Sequence, residues 1–159
     1  MKDDMHDLLE VLDGVSSVLS RLTELERLKM RAVENNDLLE LDSIMNREQV
    51  LELTLRGMEK TRTTLLEKLG LEGEPLSRLE EHCAPEDKEE VSSLVKVLKA
   101  KYAEYRSNAD QARRMLEKGL SDIEKDLRRL GAAPADKGAG YRASAELTPP
   151  KGMKTDFRV

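Results

Sequence analysis

Apolar side chains recur by fours and threes from Val91 to the end of the longest uninterrupted segment of the chain. Val91, Val95, Leu98, Tyr102, Tyr105, Ala109, Ala112, Leu116, Leu120, Ile123, Leu127 and Leu130 all fall on one face of a helix at this spacing. The stripe lasts roughly five heptads, and Gly119 is the only Gly or Pro inside it. No other segment supports so long a helix, so part of this face is expected to lack a partner within the chain.

Two earlier stretches carry the same period. Leu8, Leu12, Val15, Leu19 and Leu22, widened by Val11, Val18 and Leu25, predict a first helix from about Asp3 or Asp4 to Glu34. Asp3, Asp4 and Asp7 lie at its start, where the helix dipole favours negative charge. Asn35-Asn36-Asp37 supplies a stop and a cap, and so short a link turns the next helix back antiparallel. That helix is expected over about Leu38–Leu69, on the stripe Leu41, Ile44, Met45, Leu51, Leu55, Met58, Leu65 and Leu69. Glu48 and Arg62 interrupt its apolar face; such charges either set register or snorkel outward. Gly70 ends it. Pro75 opens a short helical turn, Leu76 to His82, and Pro85 with Glu86, Asp87, Glu89 and Glu90 starts the third helix, which stops at Gly131. The fold class is all-α: an antiparallel helical bundle or coiled coil of three long helices with a short connector helix, over residues 1–131. Residues 132–159 hold Pro134, Pro149 and Pro150, have no period, and read as a flexible C-terminal tail.

Composition narrows the possibilities. There is no Trp, one Phe and only three Tyr, so the core must be an aliphatic seam between helices. The net charge is −5. Lys137, Arg142, Lys151, Lys154 and Arg158 outnumber the acids of the tail by 2, which leaves −7 on the remainder. An acidic body repels phosphate backbones, so no nucleic-acid partner is expected. The single cysteine, Cys83, fits a reducing compartment. Neither a signal sequence nor a membrane-length apolar run is present, and a cytoplasmic protein is expected. His82 and Cys83 are adjacent but have no companion cluster to complete a tetrahedral metal site. No nucleophile set, phosphate loop or paired-carboxylate pocket is evident. No catalytic residue, metal or cofactor is expected. Two of the four aromatics, Tyr141 and Phe157, sit in the tail, where an aromatic beside Arg142 or Arg158 suits docking to another protein.

Three runs carry a resemblance to a known family: LLEVLDGVSSVLSRL at 8–22, AVENNDLLELDSIMNREQVLELTL at 32–55, and LLEKLGLEGEPLSRLEEHCAPEDKEEV at 65–91, before the long third helix. Together they resemble the FlgN family of flagellar export chaperones over about Leu8 to Leu130. The last run, with its LLEKLGL terminus, PLSRLEEH turn and Pro-acidic restart, is the most specific. The resemblance implies a cytoplasmic chaperone that holds hook-associated (hook–filament junction) proteins before their export through the flagellar type III apparatus. It further implies that the C-terminal part of the chain binds the client. A tyrosine just beyond the third helix would dock on the export gate and its ATPase complex. Within GAGYRASAEL that tyrosine is Tyr141, followed by Arg142.

The helix lengths lead to a similar place. If the third helix starts level with the end of the second and runs antiparallel to it, roughly its last dozen residues overhang the hairpin. Leu116, Leu120, Ile123, Leu127 and Leu130 then form the candidate client-binding stripe, on which an amphipathic helix of the client could pack. The competing reading is a structural coiled-coil scaffold or adaptor whose overhanging stripe closes a permanent homodimer. Monomer and weak homodimer both remain open on sequence grounds.

Overall fold

The computed structural model describes residues 2–131. Helix α1 spans Lys2–Glu34, α2 spans Leu38–Lys68 and α3 spans Lys88–Arg129. Two 3₁₀ helices, Leu76–His82 and Pro85–Asp87, form the connector before α3. No strand occurs among the described residues.

The turn between α1 and α2 is built by the three residues that predicted it. Asn36 adopts the left-handed conformation at φ 52°, which Asn tolerates better than most residues. Its N–H donates to the carbonyl of Val33 at 3.2 Å, and that of Asp37 donates to the carbonyl of Ala32 at 2.9 Å. This is the paired bonding of a Schellman motif. Asp37 also caps α2, its carboxylate accepting from the Glu40 N–H at 3.1 Å. Gly70 closes α2 in the same way at φ 70°. Its N–H reaches the Glu67 carbonyl at 3.1 Å and that of Leu71 reaches Leu66 at 2.9 Å, while the Leu71 side chain drops into the core. Gly131, at φ 74°, ends α3 where expected.

Helix α1 lies between the other two, and α2 and α3 pack chiefly on it. Lys29 of α1 meets Glu48 near the hairpin turn, and Gly14 lies beside Met58 farther down, so α1 and α2 are antiparallel. Leu8, Leu12, Val15, Leu19 and Leu22 are fully buried, as are Leu55 and Val91. Val95, Leu98, Tyr102 and Tyr105 continue the same cluster along α3. A smaller cluster of Leu25, Ala32 and Ile44 fills the space under the hairpin turn. Burying each Leu contributes about 1.5–3 kcal/mol, and the α1 seam shares the main cluster with side chains from α2, the connector and α3.

The connector is not only a link. Leu76 and Leu79 are buried in the main cluster, so the first 3₁₀ helix caps the open end of the hairpin. That displaces the start of α3 along the bundle. Arg27 of α1 pairs with Glu104 of α3, an offset of 77 residues that sets Lys88 level with Val11. The third helix therefore enters well above the end of α2, not level with it, and overhangs further than helix lengths alone suggest.

Candidate protein-interaction surface

Ala112 is the last buried side chain of α3, at 0% exposure. The offset to α1 puts Gln111 level with Glu34, the final residue of α1. Beyond that point neither α1 nor α2 has backbone left to cover α3. None of the residues from Arg113 to Arg129 is buried, a projection of about 25 Å. Such a segment is marginal as an isolated helix but propagates readily from one already nucleated. Arg113–Asp110 at 2.9 Å and Arg129–Asp126 at 3.0 Å, both i,i+3 pairs, add a little support.

Four of the five residues of the expected client-binding stripe lie on this projection, and the fifth, Leu130, is its C-cap. Ile123 is 42% exposed and Leu130 82% exposed. Leu116, Leu120 and Leu127 are half-buried, as a leucine in a lone helix is, shielded by its own neighbours three and four residues away. A methyl group added at Gly119, beside the stripe, would meet no atom within 4 Å, so this face is open there. Tyr141 and Arg142, expected at the export gate, lie outside the described residues.

A second feature was not legible as a unit: a layer of charge inside the bundle. Lys29 of α1 places Nζ 2.8 Å from Glu48 and 3.3 Å from Glu26, and all three side chains are nearly enclosed. Burial and a hydrogen bond with Glu26 push the Glu48 carboxyl up to about 8, against the opposing pull of Lys29. Burial alone would lower the Lys29 ammonium, but the two glutamates more than offset it and its pKa rises. Tyr105 reaches in from α3, and burial with the nearby Glu26, Glu52 and Glu48 carboxylates pushes its phenol up. Farther along α2, Arg62 pairs with Glu59 at 3.2 Å, both buried. Of the two alternatives for Glu48 and Arg62, the outward-snorkelling one is excluded. Glu48 ties α1 to α2 at one register, because a one-turn slip would separate it from Lys29.

His6, His82 and Cys83 line one open groove together with the apolar Met5, Leu9 and Leu94 and the acidic Glu10, Asp13, Asp87 and Glu90. No group of three or more His, Cys, Asp or Glu able to hold a metal ion occurs among the described residues. Nor is any described helix long and apolar enough to cross a membrane. The features that stand out are thus a packed seam, an internal ion layer and a helix that outruns its partners, an arrangement suited to holding another protein.

No curated protein and no solved structure matches the chain. A profile of the family described as FlgN protein matches residues 1–149. With all three long helices and the connector inside that match, the chain belongs to the FlgN family.

Proposed function

We propose that the protein is a cytoplasmic flagellar export chaperone that binds hook-associated proteins on the projecting part of α3, prevents their premature assembly and hands them to the export gate. The observation that carries this reading is the stripe Leu116, Leu120, Ile123, Leu127 and Leu130, which no other described element covers in a chain of the FlgN family. A client subunit that polymerises through amphipathic helices exposes apolar stripes of its own while unassembled. A projecting helix can pair with such a stripe as one more helix joins a bundle. Withholding the client's assembly surface needs no bond making or breaking, and no cofactor enters the scheme.

Each buried Leu or Ile contributes about 1.5–3 kcal/mol to such a contact, whereas micromolar affinity corresponds to only about 8 kcal/mol. Replacing Ile123 and Leu127 together by Asp therefore abolishes measurable binding in a calorimetric titration with a hook-associated protein. The same variant keeps its melting temperature, because neither side chain is buried in the free chain. Wild-type affinity in the variant would remove the stripe from the client site. A large fall in melting temperature would instead give it to a core or a dimer seam.

Delivery belongs in this reading to Tyr141 and Arg142. The substitution Tyr141→Ala is expected to leave client titrations unchanged and to weaken capture by the export gate complex in a pull-down. The opposite pattern would exchange the two roles.

A further inference from the structure

Helix α2 buries three charged side chains while it exposes several large apolar ones. Glu48, Glu59 and Arg62 are buried against the bundle, while Leu39, Val50 and Leu53 are 87%, 63% and 64% exposed. The exposed positions Leu39, Ser43, Asn46, Val50, Leu53, Gly57, Lys60 and Thr64 follow one another by alternating fours and threes. That is a second heptad seam on the face opposite the one that packs on α1. Its only charge is Lys60. Thr54, Thr61 and Thr64, in or beside the seam, donate their hydroxyls to the carbonyls of Val50, Gly57 and Lys60, four residues back in their own helix. Their hydroxyls are thereby satisfied within the helix. At Gly57 an added methyl would meet nothing within 4 Å.

We infer that this seam is the contact for a second copy of the chain, α2 packing antiparallel on its symmetry mate. The pattern is self-complementary in that orientation. Centred between Leu51 and Glu52, it sets Val50 against the mate's Leu53, Asn46 against Gly57, Ser43 against Lys60 and Leu39 against Thr64. Three of the four layers thus pair a long side chain with a short one. The Lys60 ammonium lands beside the mate's Asp42, next to Ser43. The flanking positions meet as Gln49 with Arg56, Asp42 with Thr63, Arg47 with Thr54 and Glu40 with Thr61, so no like charges face each other. Parallel pairing would instead press Lys60 on Lys60. A twofold axis satisfies every contact twice, as closed dimers require. From Leu39 to Thr64 the seam is about 39 Å long, enough for an interface near the lower limit of specific ones, about 1,200 Å². The affinity to expect is of micromolar order.

Sedimentation equilibrium of the full chain from about 1 to 300 µM, bracketing that affinity, reads the association. The expected result is a reversible monomer–dimer equilibrium that Val50→Glu with Leu53→Glu shifts at least tenfold toward monomer. Both side chains are exposed, so the variant's ellipticity and its melt at low concentration should match wild type. Orientation is read by disulfide trapping in a Cys83→Ser background. A mixture of Leu39→Cys and Thr64→Cys chains should cross-link to each other, and Leu39→Cys alone should not. Wild type that stays monomeric throughout, a dimer indifferent to the double substitution, or a 39–39 cross-link would each overturn the inference. So would a monomeric wild type whose client binding is lost in the double variant, which would give this face to the client. The α3 stripe is tested separately at Ile123 and Leu127.

Discussion

Glu48 is held beside a second carboxylate and one ammonium in a site that excludes most water, and this gives the bundle a pH dependence of definite sign. Its carboxyl rises from an ordinary 4.5 to about 8 on folding. Between those values the folded chain binds a proton that the unfolded chain has released. The resulting stabilisation is complete below about 4.5 and is lost as pH rises through 8. Glutamine keeps the shape and an N–H donor toward Glu26 but cannot ionise. Glu48→Gln should therefore melt close to wild type at pH 5 and several degrees above it at pH 8.5, with a flatter profile between. A variant that tracks wild type at every pH would show that Glu48 is already ionised in the fold at neutral pH. Lys29 lies outside this window, since its ammonium is pushed further up and stays charged throughout. This layer was not readable from periodicity. A charge within an apolar stripe looks the same in sequence whether it snorkels or finds a buried partner, and Lys29 and Glu48 belong to different helices.

At the scale of elements the sequence was far more legible, because each helix end carries its own chemistry. Asn35-Asn36-Asp37, Gly70 and Gly131 each mark a backbone change that few other residues make easily, and the boundaries fall there; Pro85 opens a 3₁₀ turn, Pro85–Asp87, so α3 itself starts three residues later than expected, at Lys88. Leu76–His82 was readable as a turn from Pro75 onward, and two leucines three apart suit its 3₁₀ form, in which i and i+3 eclipse. The outer seam of α2 went unread for a related reason. A search for the strongest stripe finds Ile44, Leu55 and Leu65, and the weaker opposite face then passes for solvent surface. Asn36 tests the link between sequence and turn directly. At φ 52° an alanine carries the left-handed penalty of about 1–2 kcal/mol, whereas glycine carries none. Asn36→Ala should lower the melting temperature by a few degrees and Asn36→Gly should leave it nearly unchanged. Equal effects of the two would mean that the Asn side chain, and not the backbone, sustains the turn.

In the whole molecule, the division of labour follows from where the connector sits. Buried Leu76 and Leu79 occupy the open end of the hairpin, so α3 enters high and carries its surplus length out past the α1–α2 turn. Sequence lengths predicted an overhang but not its extent, since nothing local records how far the connector lifts the next helix. The cooperative unit consequently ends near Ala112, and the apolar stripe beyond it contributes little to folding. A chain ending at Arg114 and a chain ending at Gly131 differ only by the projection, both lacking the tail. They should melt within about 2 °C of each other, because a change of 1 kcal/mol in a domain of this size moves the midpoint by only a few degrees. Ellipticity per chain should fall in the shorter one as its residues leave the helix. Client titration should separate them completely, with binding kept to Gly131 and lost at Arg114. If the shorter chain melts many degrees lower, the stripe supports the bundle or a dimer, and free apolar surface on α3 can no longer be its reason for existing. If instead it melts normally and still binds, the client sits on the body of the bundle, and the exposed seam of α2 becomes the surface to substitute next.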